Sequence, residues 1–213
     1  MTETNAYHET RFAYDARRAK LWQVLTRDYF QALIDPAATV LEIGAGYCDF
    51  INCVRAARKF ALDVWPGIRE HCASDVEAVV GSATDMDAVP DASVDIVFAS
   101  NVFEHLGVSE FAEVLQRLRR KVKPRGRLII LQPNFRYAFR EYFDDYTHRS
   151  IWTDVSLSDF LLANGFQPEL VKRRFLPLTL RSRLPVWRSL IRLYLLSPFK
   201  PFGKQMLVVA RLR

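Results

Sequence analysis

Glu42, Gly44, Gly46 and Asp63 have the types and the spacing to hold a charged nucleoside. The first three follow the apolar run Thr39-Val40-Leu41, and Asp63 ends the next apolar run nineteen residues after Gly44. The order reads as a strand, a glycine turn, a helix and a second strand. That βαβ arrangement sets a nucleoside at the carboxyl edge of a parallel sheet. The glycines let the backbone come close to the ligand, and an acid on the second strand can accept hydrogen bonds from both ribose hydroxyls. A turn built for a pyrophosphate usually has glycine or alanine at its third position. Asp49 stands there, and its carboxylate would repel a diphosphate. Glu42 adds negative charge beside the first glycine. Two acids suit a cation without phosphate, and S-adenosylmethionine has a sulfonium and an ammonium. A dinucleotide site and a tight turn with no ligand are the alternatives.

Methyl transfer to a hydroxyl also needs a proton acceptor. The chain has four histidines. His8 lies in a polar terminal stretch and His71 on a surface helix. His105 ends the loop after an apolar run, Val94–Ala99, and His148 lies close to Asp144 and Asp145. His148 and His105 are the candidate bases, with Asp145 beside them. The alternative for His105 is a capping or packing role, and for His148 a hydrogen bond that pins its loop. Around His148, residues 135–152 include Tyr137, Tyr142, Phe143 and Tyr146 among Glu141, Asp144 and Asp145. Aromatic rings stack on sugar faces and carboxylates take hydroxyl protons, so this mixture points to a carbohydrate acceptor.

Several elements must position these groups. Residues 10–35 have apolar positions at helical spacing, closed by Asp35-Pro36. Strands are expected at 39–43, 60–64, 78–80, 94–99, 127–131, 167–175 and 204–212. Helices are expected at about 48–58, from Pro66 to about Cys72, from a Ser109 cap to about Val122, and at about 157–163, where Asn164-Gly165 is a stop signal. Lys123-Pro124-Arg125-Gly126 reads as a turn. Alternating strands and helices define a parallel, doubly wound α/β sheet.

The 213 residues fit one α/β domain, and half of them are hydrophobic, enough for a full core. Met1–Glu9 is polar, no apolar stretch approaches the ~20 residues of a membrane span, and Cys48, Cys53 and Cys72 lack metal-type spacing. A cytoplasmic location with reduced thiols is the expectation. Charge is uneven. Residues 1–170 contain 19 basic and 24 acidic residues, a net of −5, whereas residues 171–213 contain 11 basic residues and no acid. That asymmetry points to an anionic partner at the C-terminal end.

In order along the chain, these motifs resemble the class I S-adenosylmethionine-dependent methyltransferases, in particular the small type 11 group. The matching stretches are Val40-Leu41-Glu42-Ile43-Gly44-Ala45-Gly46, Asp63, Gly81-Ser82-Ala83-Thr84-Asp85 and Pro90-Asp91-Ala92-Ser93-Val94-Asp95-Ile96-Val97. Asn101-Val102-Phe103-Glu104-His105-Leu106 and Leu118–Leu128 follow. The resemblance covers about residues 38–135, and more loosely extends to 175. It implies a Rossmann-like, mostly parallel, seven-stranded sheet with an antiparallel last strand. It implies that Glu42, Gly44 and Gly46 line the methionine end, that Asp63 holds the ribose with Val64 beside the adenine, and that Ala83, Thr84 and Asp85 form the adenine edge. Asn101 and Phe103 would flank the sulfonium. Cys48 departs from the pattern, where a third glycine is common.

The resemblance extends, at residues 135–152 and in the C-terminal region, to methyltransferases found with bacterial polysaccharide and glycolipid assembly. It implies one methyltransferase domain over 1–213, with an N-terminal helical cap (1–36), a substrate-side insertion (135–156) and a basic amphipathic insertion (176–203) before the last strand. Glu104-His105 also resembles part of the metal-binding loop of quinone-biosynthesis O-methyltransferases. Asn101 stands where that loop has an acid, and no metal is expected. The leading reading is an O-methyltransferase acting on a sugar or lipid-linked glycan. Trp187, Tyr194, Phe199 and the interspersed arginines of 176–200 would rest on the inner face of an anionic membrane. An RNA methyltransferase is the second reading, although the −5 body offers no continuous basic track. A non-enzymatic binding scaffold is the third. Oligomeric state is left open by the sequence.

Overall fold

Strands of a parallel sheet covered on both faces must be apolar on both faces, and alternate residues then serve two separate cores. The computed structural model describes residues 13–178 and 186–213. Its strands are β1 (Thr39–Ile43), β2 (Arg58–Asp63), β3 (Glu77–Val80), β4 (Val94–Ser100), β5 (Val122–Pro133), β6 (Phe166–Pro177) and β7 (Gly203–Leu212). Leu41, Val97, Leu128, Ile130 and Val208 enter one core, and Val40, Ile96, Phe98, Ile129 and Leu207 enter the other.

The strands form one sheet in the order β3-β2-β1-β4-β5-β7-β6. Neighbours are parallel except at β7, which is antiparallel to both β5 and β6. This is the doubly wound, seven-stranded sheet expected from the sequence, with its antiparallel last strand. The strand order reverses between β1 and β4, and open α/β sheets bind ligands outside the carboxyl ends of strands at such a reversal.

Helices cover both faces. On one side lie α1 (Ala16–Asp28), a 3-10 turn over Phe30–Leu33 and the short α2 (Ile68–His71). On the other lie α3 (Val108–Lys121) and, beyond the four-residue α4 (Phe135–Ala138), α5 (Asp154–Ala163). Phe98 is fully buried and stacks on Phe50 with ring centroids 3.7 Å apart, while the edges of Phe30 and Trp22 close the cluster.

Several boundaries differ from expectation. No helix forms over 48–58. Residues 47–53 are successive turns, because Cys48 takes a left-handed φ of 59° that an α-helix cannot contain. The cap of α3 is Gly107, not Ser109, with Glu110 accepting the Gly107 N–H at 2.7 Å. α5 starts earlier than expected, at Asp154, because the Thr153 side chain accepts the Ser156 N–H. Lys123–Gly126 forms a bulge within β5 between the pairs Val94–Val122 and Ile96–Arg127. The first twelve residues of the expected helical cap, including His8, lie outside the described residues.

The last helix, α6 (Arg188–Leu196), packs Ile191, Tyr194 and Leu195 inward. Of its two cations Arg192 is exposed, while Arg188 and the lysine just beyond the helix have partners. Both arms of Arg188 meet Asp28 of α1 at 2.9 Å, and Lys200 donates to the last-turn carbonyls of Tyr194 and Leu195. Trp187, Leu193, Leu196, Phe199 and Phe202 are exposed. Residues 179–185 of the expected basic insertion, including Arg181 and Arg183, lie outside the described residues. No helix among the described residues is long and apolar enough to cross a membrane.

Truncating Phe98 to Ala should cost about 3–5 kcal/mol. Urea unfolding of the variant measures this; a loss below about 1 kcal/mol would show that Phe50, Trp22 and Phe30 close the gap without it.

Candidate active site

The carboxyl ends of β1, β2 and β4 meet at the point of strand reversal. Gly44 follows β1 with a φ of +68°, and a β-carbon there would stand 2.4 Å from Val102 Cγ2. Only glycine fits, for both reasons. Gly46 is also left-handed, and its N–H donates to Asp63 Oδ2 at 2.8 Å. The Trp65 N–H donates to the other oxygen of Asp63, also at 2.8 Å. The acid expected to hold a ribose therefore also ties the glycine turn to the end of β2.

The two acids read as selecting a cation behave differently from that reading. Asp49 faces Arg18 of α1 at 2.7 Å, so its charge is spent on that ion pair and gives no argument against a diphosphate. Burial still raises its pKa, with Arg18 opposing. Glu42 is buried under the turn and accepts the Ile51 N–H at 3.1 Å. Burial pushes its carboxyl well above the usual range, and Asp49 and Asp63 add to the effect.

Val64 is exposed, Ala83 and Thr84 are half-buried, and Asp85 is exposed in the turn closed by its N–H to the Ser82 carbonyl. Asn101 is exposed, left-handed at φ 54°, and fixed by its N–H to the Leu131 carbonyl. Phe103 is fully buried and stacked on Phe111, so its ring belongs to the core instead of the cleft surface expected for it. The sequence reading passed over a ring cluster at this edge. Tyr47 lies 5.0 Å from Trp65 and 4.7 Å from His71, and Tyr14 packs on Tyr47. Tyr47 within the glycine turn and Trp65 two residues after Asp63 were the available signal.

The candidate bases converge from two separate segments. His105 ends the 3-10 turn Phe103–His105 after β4. His148 belongs to the stretch after β5, and the two rings are 4.9 Å apart. Both Arg149 and Ser150 donate their N–H to the Glu104 carbonyl, at 2.8 and 3.1 Å. The Ser150 hydroxyl donates to the Leu106 carbonyl, and Tyr142 donates to the Ser150 carbonyl. These bonds clasp the later segment onto the earlier one.

Thr147 donates its hydroxyl proton to Asp145, so its oxygen accepts from His105 Nδ1 at 2.9 Å. His148 Nδ1 donates to the Tyr142 carbonyl at 2.6 Å. In both rings Nε2 then carries the lone pair. Burial, with His148 adding, lowers His105 to about 4, so this ring is neutral near pH 7. Burial acts to raise Asp145, but the two hydrogen bonds from Thr147 outweigh it and hold the carboxyl low. Glu104, absent from the expected site, is fully buried, and burial raises it to about 8, with Asp145 adding. A depression of about 350 Å³ lined by Asp35, Lys123 and Arg125 opens at the opposite, amino edge of the sheet. It contains none of these groups, and the chemistry of the carboxyl edge identifies the site.

Residues 41–130 match the family described as a methyltransferase domain. A comparison with curated proteins gives no match. Among solved structures, an S-adenosylmethionine-dependent methyltransferase from Archaeoglobus fulgidus is 20% identical with a TM-score of 0.66, over 99% of this chain and 100% of that one. The 1,6-didemethyltoxoflavin-N1-methyltransferase of Burkholderia thailandensis, with bound 1,6-didemethyltoxoflavin and S-adenosylhomocysteine, is 19% identical with a TM-score of 0.61, over 98% and 84%. A Haloferax volcanii methyltransferase complexed with the Trm112 activator is 16% identical with a TM-score of 0.66, over 91% and 90%. These structural likenesses establish the fold. Over residues 41–130 the chain matches a methyltransferase domain, and the whole chain shares the fold of S-adenosylmethionine-dependent methyltransferases.

Gly44→Ala adds a left-handed penalty of about 1–2 kcal/mol and a clash with Val102, so donor affinity should fall at least about tenfold. Calorimetry with S-adenosylhomocysteine measures this, and an affinity within about twofold of wild type would remove the donor from this turn.

Proposed function

We propose that the chain transfers the methyl group of S-adenosylmethionine to a hydroxyl of a sugar, carried free or on a lipid. The observation that carries this reading is the clasp of the aromatic and acidic segment 135–152 onto the loop after β4, which brings His148, His105 and Asp145 to one point. Glu42, Gly44, Gly46, Asp63, Val64, Ala83, Thr84, Asp85 and Asn101 form the donor side. Phe103 contributes through its backbone, since its ring is in the core.

The methyl carbon is already activated by the sulfonium, so the protein chiefly aligns oxygen, methyl and sulfur. The hydroxyl oxygen forms its bond to the methyl carbon as the carbon–sulfur bond breaks, leaving S-adenosylhomocysteine. The hydroxyl proton passes to the His148, His105 and Asp145 cluster. Exposed Phe143 and Tyr146 supply apolar faces on which a sugar ring can stack.

A lipid-linked acceptor is supported by the outer row of α6 and its flanks, Trp187, Leu193, Leu196, Phe199 and Phe202, with exposed Arg192 among them. Each cation near an anionic leaflet adds roughly 1 kcal/mol. Because Arg188 and Lys200 already have internal partners, apolar insertion has the larger part in such docking. The same commitments weigh against RNA as the acceptor, which needs cations free for phosphates.

His148→Ala should lower kcat by about a hundredfold or more on the accepted glycan while donor affinity stays within about twofold. A labelled-methyl assay on a mixture of sugars and lipid-linked glycans identifies the acceptor; methylation of RNA or protein alone would overturn the reading. In vesicle flotation with anionic lipid, the intact protein should float and the double variant Leu193→Glu, Leu196→Glu should not. Equal behaviour of the two would remove the membrane from the account.

A further inference from the structure

We propose that Glu104, His105 and His148 form a binding site for a divalent transition-metal ion of the zinc or cobalt type, at the acceptor edge of the active site. One ligand atom from each residue, a carboxylate oxygen or a ring nitrogen, lies within 4.8 Å of the other two. Ligand bonds of about 2.0–2.2 Å then need only a contraction of three side chains.

Glu104 is the independent sign of a missing partner. It is fully buried, and both of its carboxylate oxygens lack a hydrogen-bond partner. No ion pair among the described residues reaches it. Proteins bury a carboxyl group where it is paired, hydrogen-bonded or bound to a metal. A cation at the meeting point of the three side chains supplies what Glu104 lacks.

The surroundings are arranged as ligating histidines require. A metal-bound imidazole usually donates its second ring N–H to a carbonyl or carboxylate, which fixes the tautomer and aims the other nitrogen. His148 donates Nδ1–H to the Tyr142 carbonyl, and His105 donates Nδ1–H to Thr147, whose hydroxyl is held by Asp145. Both Nε2 atoms are thereby the ligand nitrogens. Two imidazoles and one carboxylate suit zinc, cobalt or nickel, whereas magnesium and calcium prefer oxygen alone. Three protein ligands also leave a coordination position open, as catalytic metal sites do.

The ligand set is this chain's own. Position 101 is asparagine, and the third ligand, His148, arrives from the segment after β5. The inference rests on the proposed function only in giving the open position to the acceptor hydroxyl, which becomes more acidic on a cation; with the ion bound, His105 and His148 are ligands instead of proton acceptors, and the hydroxyl proton passes to solvent water. Ion binding itself does not depend on what the acceptor is.

The test uses the whole protein, dialysed against a chelator and titrated with Zn²⁺ by calorimetry and with Co²⁺ by absorption. The expected result is one ion per chain, a rise in melting temperature, and cobalt bands of a nitrogen–oxygen site. Glu104→Gln keeps the shape and removes the carboxylate ligand, so it should fold as well as wild type and bind the ion at least about tenfold more weakly. His148→Ala should do the same to affinity, and Thr147→Val should weaken it by about tenfold. Absence of stoichiometric uptake, or uptake unchanged in Glu104→Gln, overturns the site. A sulfur-to-cobalt charge-transfer band places the ion at Cys48 and Cys72 and also overturns it. Glycan methylation by metal-free protein that takes up no ion removes the ion and keeps the proposed function. Ion uptake without methylation of any glycan does the reverse.

Discussion

A single carbonyl joins the two halves of the active site. The Glu104 oxygen receives the amides of Arg149 and Ser150, from a segment more than forty residues later in the chain. A peptide carbonyl has two lone pairs, and both are used here. Without that junction the aromatic segment after β5 would lose its two backbone hydrogen bonds to the loop after β4, keeping the Phe135–Trp152 bond at its ends and side-chain contacts such as Glu141–Lys204. With it, the segment closes over the loop after β4, buries Glu104 and sets the rings of His105 and His148 side by side. The Arg149–Glu110 ion pair and the Ser150–Leu106 hydrogen bond reinforce the same contact at its rim.

The sheet makes the junction possible. Strand order reverses between β1 and β4, which separates the chain segments leaving their carboxyl ends and opens a crevice there. In the proposed reading the donor side grows from the carboxyl ends of β1, β2, β3 and β4, and the acceptor side from the segments after β4 and β5. Because β7 inserts antiparallel between β5 and β6, the C-terminal strand is buried at the centre of that half. α5 and α6 pack on its two sides. α6 is fixed to α1 through Arg188 and Asp28.

Much of this was legible from the chain. Apolar runs marked the central strands, since buried parallel strands need apolar residues on both faces, and Gly44, Gly46 and Asp63 marked the ligand edge; the edge strand β6, with Lys172, Arg173 and Arg174, has no such run. What escaped depended on partners distant in sequence. Asp49 looked like a free acid, yet Arg18, thirty-one residues earlier, neutralises it. Cys48 looked like a lost glycine, yet it takes glycine's own left-handed conformation and so prevents the helix its neighbours favour. Glu104 looked like half of a common Glu-His pair, and nothing local announced that Arg149 and Ser150 would seal it from water. The basic tail looked like an open field of charge, but Arg173, Arg188, Lys204 and Arg211 face acids and Lys200 is bound to helix carbonyls inside the fold.

The contact between Gly44 and Val102 has a consequence for how such a chain can change over generations. The room that a side chain at 44 would need is occupied by a branched residue on a different loop. A heritable change at 44 is tolerable only in a background where 102 has already become small, so the two positions are epistatic and the order of mutations matters. Even then the left-handed backbone disfavours anything but glycine or asparagine. The donor turn is thus free to drift only as fast as the loop after β4 permits, and a lineage exploring new acceptors through that loop carries the donor turn along with it.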